Sequence, residues 1–483
     1  MPNDRQVYLL DPQTLSPETI AVTFAKTSRS PGSFREIAAE LTDEKTTRFH
    51  EKWVVGYGHS SVAEHAVLHV AVENLSRLAV ESLESNRLAS YTEKSTRYQT
   101  WSSDHFYTPV ELKDHPLLEA YTATCHDLFT AYQNAIPLVE EALASSDPQR
   151  PDEKTAQWQR RLHSQSMDVC RFFLPAASLA NVGMTINARA LEHALQKMLS
   201  DPLDEVRSMG LEIKKVAQAE VPTLVKYADA VPYLQTVYAH LTGAAAEASR
   251  AAEASRAADP CAAPTDWCRL VSSDPQLDER ILAAALYRYG SFTYAQAIDT
   301  VHALPPSERI ALAESILGCR TRFDIPIREI EHAGFTFDLL LDQGAYFELK
   351  RHRMATQSAQ ALTPHLGYAL PRAIVAAGLE SHYRHCMEAA AQVYDSIAQA
   401  INPAVAGYVV PNACNRRVLI TLNLRSALHL ITLRTAENAH FSIRRVALRM
   451  AEEIRAVAPL LGHYLPTTPE TWQGVEKEYF ARV

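Results

Sequence analysis

The chain of 483 residues contains no run of about 18–20 uncharged apolar residues, which argues against a membrane span. Its N-terminus, MPNDRQVYLLDPQTLSP, has no apolar stretch long enough for a secretory signal. Seven cysteines occur, at 125, 170, 261, 268, 319, 386 and 414. They are odd in number, scattered and never in CxxC spacing, which argues against a disulfide framework or a zinc site and points to the reducing cytoplasm. HExxH, a Walker A loop, a GxSxG elbow and the Rossmann glycine fingerprint are all missing. His59, His65 and His69 bring no third set of ligands with them, so they read as ordinary hydrogen-bonded histidines and no metal is expected. Positive charge is also short: 47 Lys and Arg against 56 Asp and Glu give a net charge of −9. That disfavours a broad nucleic-acid surface but leaves room for a local arginine pocket for a phosphorylated small molecule.

What is present is an ordinary globular composition, 47% hydrophobic and 21% charged. The length suggests two to four domains. Residues 242–264, TGAAAEASRAAEASRAADPCAAP, form an alanine-rich boundary that reads as a solvated helix or a loose linker. The domains expected are therefore 1–241 and 265–483.

The two flanks echo each other. EHAVLHVAVEN (64–74) precedes LSRLAVESLESNR (75–87); EHAGFTFDLLL (331–341) precedes DQGAYFELKRHR (342–353). Each is a Glu-His pair followed by a β-like run and then a helix, with Ser76 and Asp342 as N-caps. Further on, Asn187, Arg189 and His193 fall 236 positions before Asn423, Arg425 and His429. Two ordered blocks at fixed offsets predict a tandem duplication. The first copy holds about 30 extra residues, expected within 101–165. Short strands are expected at the Glu-His segments, and helices over 203–226 and 436–461.

Arg351-His352-Arg353 ends an apolar helix. Three basic residues there suit a helix C-terminus, or an anion site of arginine forks. Asn423, Arg425, His429 and Arg434 thread polar groups through an otherwise apolar segment. A polar cofactor would satisfy them, and so would salt bridges. In the first copy, Glu93-Lys94-Ser95-Thr96-Arg97 is a short loop able to hold a phosphate.

These motifs resemble the flavin-dependent thymidylate synthases. That family carries Arg-His-Arg, seven residues, then a Ser flanked by Glu and Arg. A Gly-His-x-Ser/Thr…Glu-His segment precedes it, and an Asn-x-Arg-Ser helix ending in Leu-Arg follows. The resemblance covers nearly the whole chain apart from the linker and part of the insertion. Each copy departs from the pattern. The second keeps Arg351-His352-Arg353 but has Ala359 and Ala361 in its nucleotide loop, and Pro326 and Arg328 in its Gly-His segment. The first keeps Gly58-His59-Ser60-Ser61 and the 93–97 loop but has Ser85 and Asn86 in place of Arg-His. Arg171 and Arg434 match family arginines; their counterparts are Gly407 and Met198. Glu348 stands where the family usually has glutamine.

The resemblance implies an α+β fold in two tandem copies, helix-rich, with a central mixed or antiparallel sheet in each half. It implies FAD-dependent methylation of dUMP to dTMP with methylenetetrahydrofolate and NADPH. Site residues follow position by position. Flavin would meet Ser61, Arg351, His352, Arg353, Asn423, Arg425, His429, Asn187, Arg189 and His193. The nucleotide would meet Glu93, Lys94, Ser95, Thr96, Arg97, Arg171, Glu348, Arg351 and Arg434, with Arg434 acting on the base. The sites would combine unlike halves within a homodimer that forms a pseudo-tetramer. The alternatives are a catalytically silent flavin- or nucleotide-binding homologue, regulatory or structural, or a flavoenzyme acting on another pyrimidine nucleotide.

Overall fold

The computed structural model describes every residue except 1–5, 29, 57–58, 96, 98, 259–265 and 322, together with the side chains of all but 55–56 and 251–258 among the rest. Gly58 and Thr96 therefore lie outside the described residues. Two compact units form: residues 1–94, 107–113 and 178–262, and residues 95–106, 114–177 and 263–483. The units cut across the two sequence halves.

The first unit is built on an antiparallel sheet of β1 (Val67–Ser76), β2 (Ala89–Glu93) and β3 (Leu179–Asn187), in the order β1-β3-β2. Ser76 closes β1 and caps the Arg77–Leu83 helix, its Oγ accepting from Ala79 N–H at 3.0 Å. Asn187 closes β3 and caps the Ala188–Leu199 helix in the same way. The Asp204–Glu220 helix follows, and its Val206, Met209, Ile213 and Ala217 face the interior at helical spacing. β1 is interrupted by a register shift between Val72 and Leu75, with Asn74 at φ 59°. Asparagine tolerates that left-handed conformation, and its N–H is satisfied by Asn181 Oδ1 at 3.0 Å.

The second unit holds the matching elements. β4 (Cys268–Ser273), β5 (Gly334–Asp342), β6 (Thr356–Ala359) and β8 (Asn415–Asn423) form an antiparallel sheet in the order β4-β5-β8-β6. A separate pair joins β7 (Leu370–Pro371) and β9 (Phe480–Arg482). On β5, Phe335, Phe337, Leu339 and Leu341 alternate inward; Val418, Ile420 and Leu422 do so on β8. These join the Leu424–Arg434 and Phe441–Val457 helices in one core. Fully burying each such side chain contributes about 1.5–3 kcal/mol. The opposite face pairs polar groups across strands, Thr336 with Thr421 at 2.9 Å and Asp338 with Arg417 at 2.8 Å.

The insertion explains why the units and the halves differ. The Leu118–Ser146 and Thr155–Cys170 helices come from the first half. Their Phe129, Tyr132, Val139 and Met167 share a core with Tyr383 and Met387 of the Glu380–Ala400 helix. The extra residues thus lengthen two helices and create apolar surface that the second half covers.

The sheets are antiparallel and both helical stretches form, as Asp204–Glu220 and Phe441–Val457. The β-like runs after the two Glu-His pairs form β1 and β5, and the pairs themselves lie at short helical segments, Ser60–His65 and Arg328–Glu331. Between the two readings of the alanine-rich segment the structure takes the helix, Pro232–Ala258. Among the described residues, no helix is long and apolar enough to cross a membrane.

Candidate functional site

β5 ends at Asp342, whose Oδ1 accepts Ala345 N–H at 2.8 Å and starts the Gln343–Leu349 helix. All seven residues of that helix are buried, Glu348 among them. The helix stops at Leu349, just before the basic triplet, and His352 N–H donates to Leu349 O at 3.0 Å. Gln357 Nε2 then bonds both Leu349 O and His352 O, tying the turn to β6. The sequence therefore places His352 inward, 8% exposed, with Arg351 outside.

Arg434 ends the helix capped by Asn423. Its Nε donates to His352 Nε2 at 3.0 Å and its Nη1 to Glu348 Oε2 at 2.9 Å. An acceptor Nε2 leaves the imidazole proton on Nδ1. Burial, then Arg434 and His429, push the His352 pKa down to about 3, so the ring is neutral at physiological pH. His429 lies edge-on to it, with centroids 5.7 Å apart.

Two first-half arginines reach the same cluster. Arg171 follows the Thr155–Cys170 helix and is 3% exposed. Its Nη2 donates to Gly344 O at 3.3 Å and lies 3.8 Å from Glu348 Oε1. Arg171 Nε is buried and has no acceptor among the described residues. Arg97 binds Asp168 in a fork, at 2.7 and 2.8 Å, and Nη1 donates to Asn438 O at 3.0 Å. Ser95 Oγ accepts Arg97 N–H at 3.2 Å. Burial is the largest influence lowering the pKa of both Arg171 and Arg434, and Arg97 lowers each further. Glu348 is shared by two guanidinium groups, one from each sequence half.

Sequence reasoning missed Asp168 and His440. Asp168 was legible as a carboxylate three positions before Arg171 in the apolar run MDVCRFF. His440 Nε2–H donates to Asp168 O at 3.0 Å while Nδ1 accepts Ser442 N–H at 3.1 Å, which fixes the tautomer. Burial holds its pKa well below 6.5.

Other predicted site residues have different work. Asn187 and Asn423 cap helices; Arg189 pairs with Glu64, and Arg425 with Glu331 at 2.6 Å. In this structure caps and salt bridges satisfy these four within the protein. Glu93 is paired with Arg77 at 2.5 Å, its side chain 1% exposed. Lys94 N–H is held by Asn181 O at 2.9 Å. Ser61 and His193 are exposed on the first unit; Arg353 is half-buried in the second.

The cluster thus gathers Arg97, Arg171 and Arg434 with the carboxylates of Asp168 and Glu348 on capped strand–helix units. Comparison with known proteins gives the family. The family described as "Thymidylate synthase complementing protein" matches residues 9–223 and again 269–460. A UPF0159 protein from Chlamydia muridarum is 31% identical over 435 residues, spanning 88% of this chain and 82% of the relative. A flavin-dependent thymidylate synthase from Geobacter sulfurreducens is 31% identical over 220 residues, 44% of this chain and 82% of the relative. The counterpart from Clostridium tetani is 26% identical over 216 residues, covering 44% and 83%. A solved UMP/dUMP methylase from Streptomyces cacaoi aligns with a TM-score of 0.33 and 17% identity over 41% of this chain and 93% of that one. The chain belongs to the flavin-dependent thymidylate synthase family of methyltransferases, and the family pattern occurs in it twice.

Proposed function

We propose that this protein is an FAD-dependent thymidylate synthase that converts dUMP to dTMP, with methylenetetrahydrofolate as carbon donor and NADPH as reductant. One observation carries the reading. Arg97 and Arg171, from the copy that keeps the nucleotide loop, stand in one compact unit with His352, Glu348 and Arg434, from the copy that keeps the basic triplet. Each copy lacks what the other supplies.

The residues fit an anionic nucleotide. A buried arginine nitrogen without an acceptor is costly in the apo protein, and a phosphate oxygen would satisfy it. Arg171 and Arg97 would hold the phosphate. Arg434 would face the uracil ring, stabilising negative charge on it. Neutral His352 holds one edge of that guanidinium and Glu348 another, fixing its orientation. Arg351 and His429, both exposed, would hold the flavin. The flavin supplies the hydride chemistry; the protein supplies orientation and exclusion of water. We propose a homodimer as the assembly, with four copies of the fold forming a pseudo-tetramer.

A silent nucleotide- or flavin-binding role draws on a different observation. Asp168 and Asn438 occupy three nitrogens of Arg97, and Glu348 occupies Arg434. The deciding assay supplies dUMP, FAD, NADPH and methylenetetrahydrofolate to folded, flavin-loaded protein. Formation of dTMP supports the synthase; flavin and dUMP binding without dTMP supports the silent role. Turnover of a different pyrimidine nucleotide would reassign the substrate.

A further inference from the structure

A cavity of the second unit shares no residue with the cluster above. It has a volume of about 630 Å³ and is lined by Trp267, Arg372, Arg445, Trp472, Lys477 and Arg482, among others. That volume falls in the range of small-molecule sites.

Its floor is Arg445, with only 4% of its side chain exposed. Arg445 Nε donates to Glu476 Oε2 at 2.9 Å, its one hydrogen bond among the described residues. The guanidinium plane is set by Trp267, whose ring centroid lies 3.6 Å away. Trp267 in turn packs edge-on against Trp472 at 5.7 Å. The guanidinium is therefore held in place where it lines the cavity, and neither Nη has a hydrogen bond among the described residues. Around the rim Arg372, Lys477 and Arg482 are exposed, and none has a carboxylate within 4.0 Å among the described residues. Glu476 is the one acidic side chain lining the cavity, so positive charge dominates it.

Two comparisons separate this cavity from the family's own site. Trp267, Trp472, Lys477 and Arg482 lie outside both segments that match the family. Counted from the starts of the matching helices (Asp204 and Phe441) and strands (Leu179 and Asn415), the first copy has Ser208 and Leu179 in the places of Arg445 and Asn415, so the arginine floor belongs to the second copy alone.

We propose that this cavity is a second ligand site, for a nucleoside di- or triphosphate, with phosphates on Arg445 and the basic rim and the base against the tryptophan wall. Four basic side chains against one acidic side chain suit a polyphosphate better than a monophosphate. A half-buried indole beside them supplies a surface for a ring.

Calorimetry on the full chain saturated with dUMP tests this, with ATP and dTTP as probes and inorganic triphosphate as the ring-free control. One equivalent of ATP or dTTP binds per chain, at least tenfold tighter than inorganic triphosphate, and tryptophan fluorescence changes on binding. Arg445→Met weakens binding at least tenfold. Lys477→Gln with Arg482→Gln does the same, and these exposed positions leave folding intact. Arg97→Ala leaves it unchanged. The proposal is overturned if neither nucleotide binds saturably at millimolar concentration, if the rim variant binds as wild type does, or if Arg97→Ala removes the binding. Equal affinity for inorganic triphosphate would overturn the assignment to a nucleotide.

Discussion

The two copies solve the same structural problem with exchanged chemistry. In each, a strand ends at a residue that caps the next helix and touches a later helix. In the first copy that residue is Ser76, and it donates through N–H and O–H to Glu205 at 2.7 and 2.6 Å. In the second it is Asp342, and it accepts from Ser442 Oγ. Hydroxyl and carboxylate have changed places while the pairing survived. The exchange matters because the Asp342 carboxylate is also drawn toward Arg171 and Arg445, although burial wins and raises its pKa. The first copy's cap is a local device. The second copy's cap is wired to arginines.

The largest expected effect breaks the comparison at its most unequal pair. Arg434→Ala should lower the rate of dTMP formation by roughly 100- to 1000-fold, the cost of removing an aimed donor from a developing anion. Its counterpart Met198 is fully buried. Met198→Ala should instead cost about 2–5 kcal/mol of stability, read by urea unfolding, without a matching fall in kcat of the folded protein. Equal effects on rate from both would mean that the copies are not functionally divided.

Next comes the exchanged cap. Ser442→Glu in the present background puts two carboxylates at one buried helix start and should destabilise by about 3 kcal/mol. Adding Asp342→Ser restores the first copy's arrangement, and a double-mutant cycle should return a favourable coupling of roughly 2 kcal/mol. A coupling near zero would show that the swap is not transferable.

Acid should then separate the units. His352 is held neutral, its folded pKa about 3 against 6.5 when unfolded. The native ring refuses a proton that the unfolded chain takes. Its contribution is fully present above pH 6.5 and is lost as pH falls toward 3, at about 1.4 kcal/mol per unit. Between pH 7 and 5 the loss is roughly 2 kcal/mol, and His352→Gln should flatten that slope. His440 acts in the same direction. Hydrogen exchange should show the second unit loosening more than the first, in which His50 alone among the described histidines is shifted downward by burial.

The smallest effect concerns Glu348. Its carboxylate competes with an incoming anion for Arg434 and Arg171. Glu348→Gln should tighten dUMP binding by several-fold, about 1 kcal/mol, most clearly at low salt. Weaker binding would show that Glu348 orients Arg434 more than it opposes the nucleotide.

Much of this was legible in the residues. The duplication followed from offsets, because helices and strands that bury the same faces keep the same spacing. The caps Ser76 and Asp342 followed from local hydrogen-bonding chemistry. Asn423 and Arg425 were legible as polar residues in an apolar helix, but their partners were not. A cap lies three residues away in sequence, whereas Glu331, the partner of Arg425, lies 94 positions back.

The sequence alone determined which residues were arginine, which runs were apolar and where each copy was incomplete. Only tertiary structure decided how the incomplete parts group. Arg97 and Asp168 are 71 positions apart, Arg434 and Glu348 are 86 apart, and Arg171 meets Gly344 from 173 away. What brings them together is the long inserted helices, whose apolar faces pack against each other and against the second copy. Burying that surface brings first-copy Arg171 beside second-copy Glu348 and first-copy Arg97 to the second-copy carbonyl of Asn438, and no local pattern encodes the pairing.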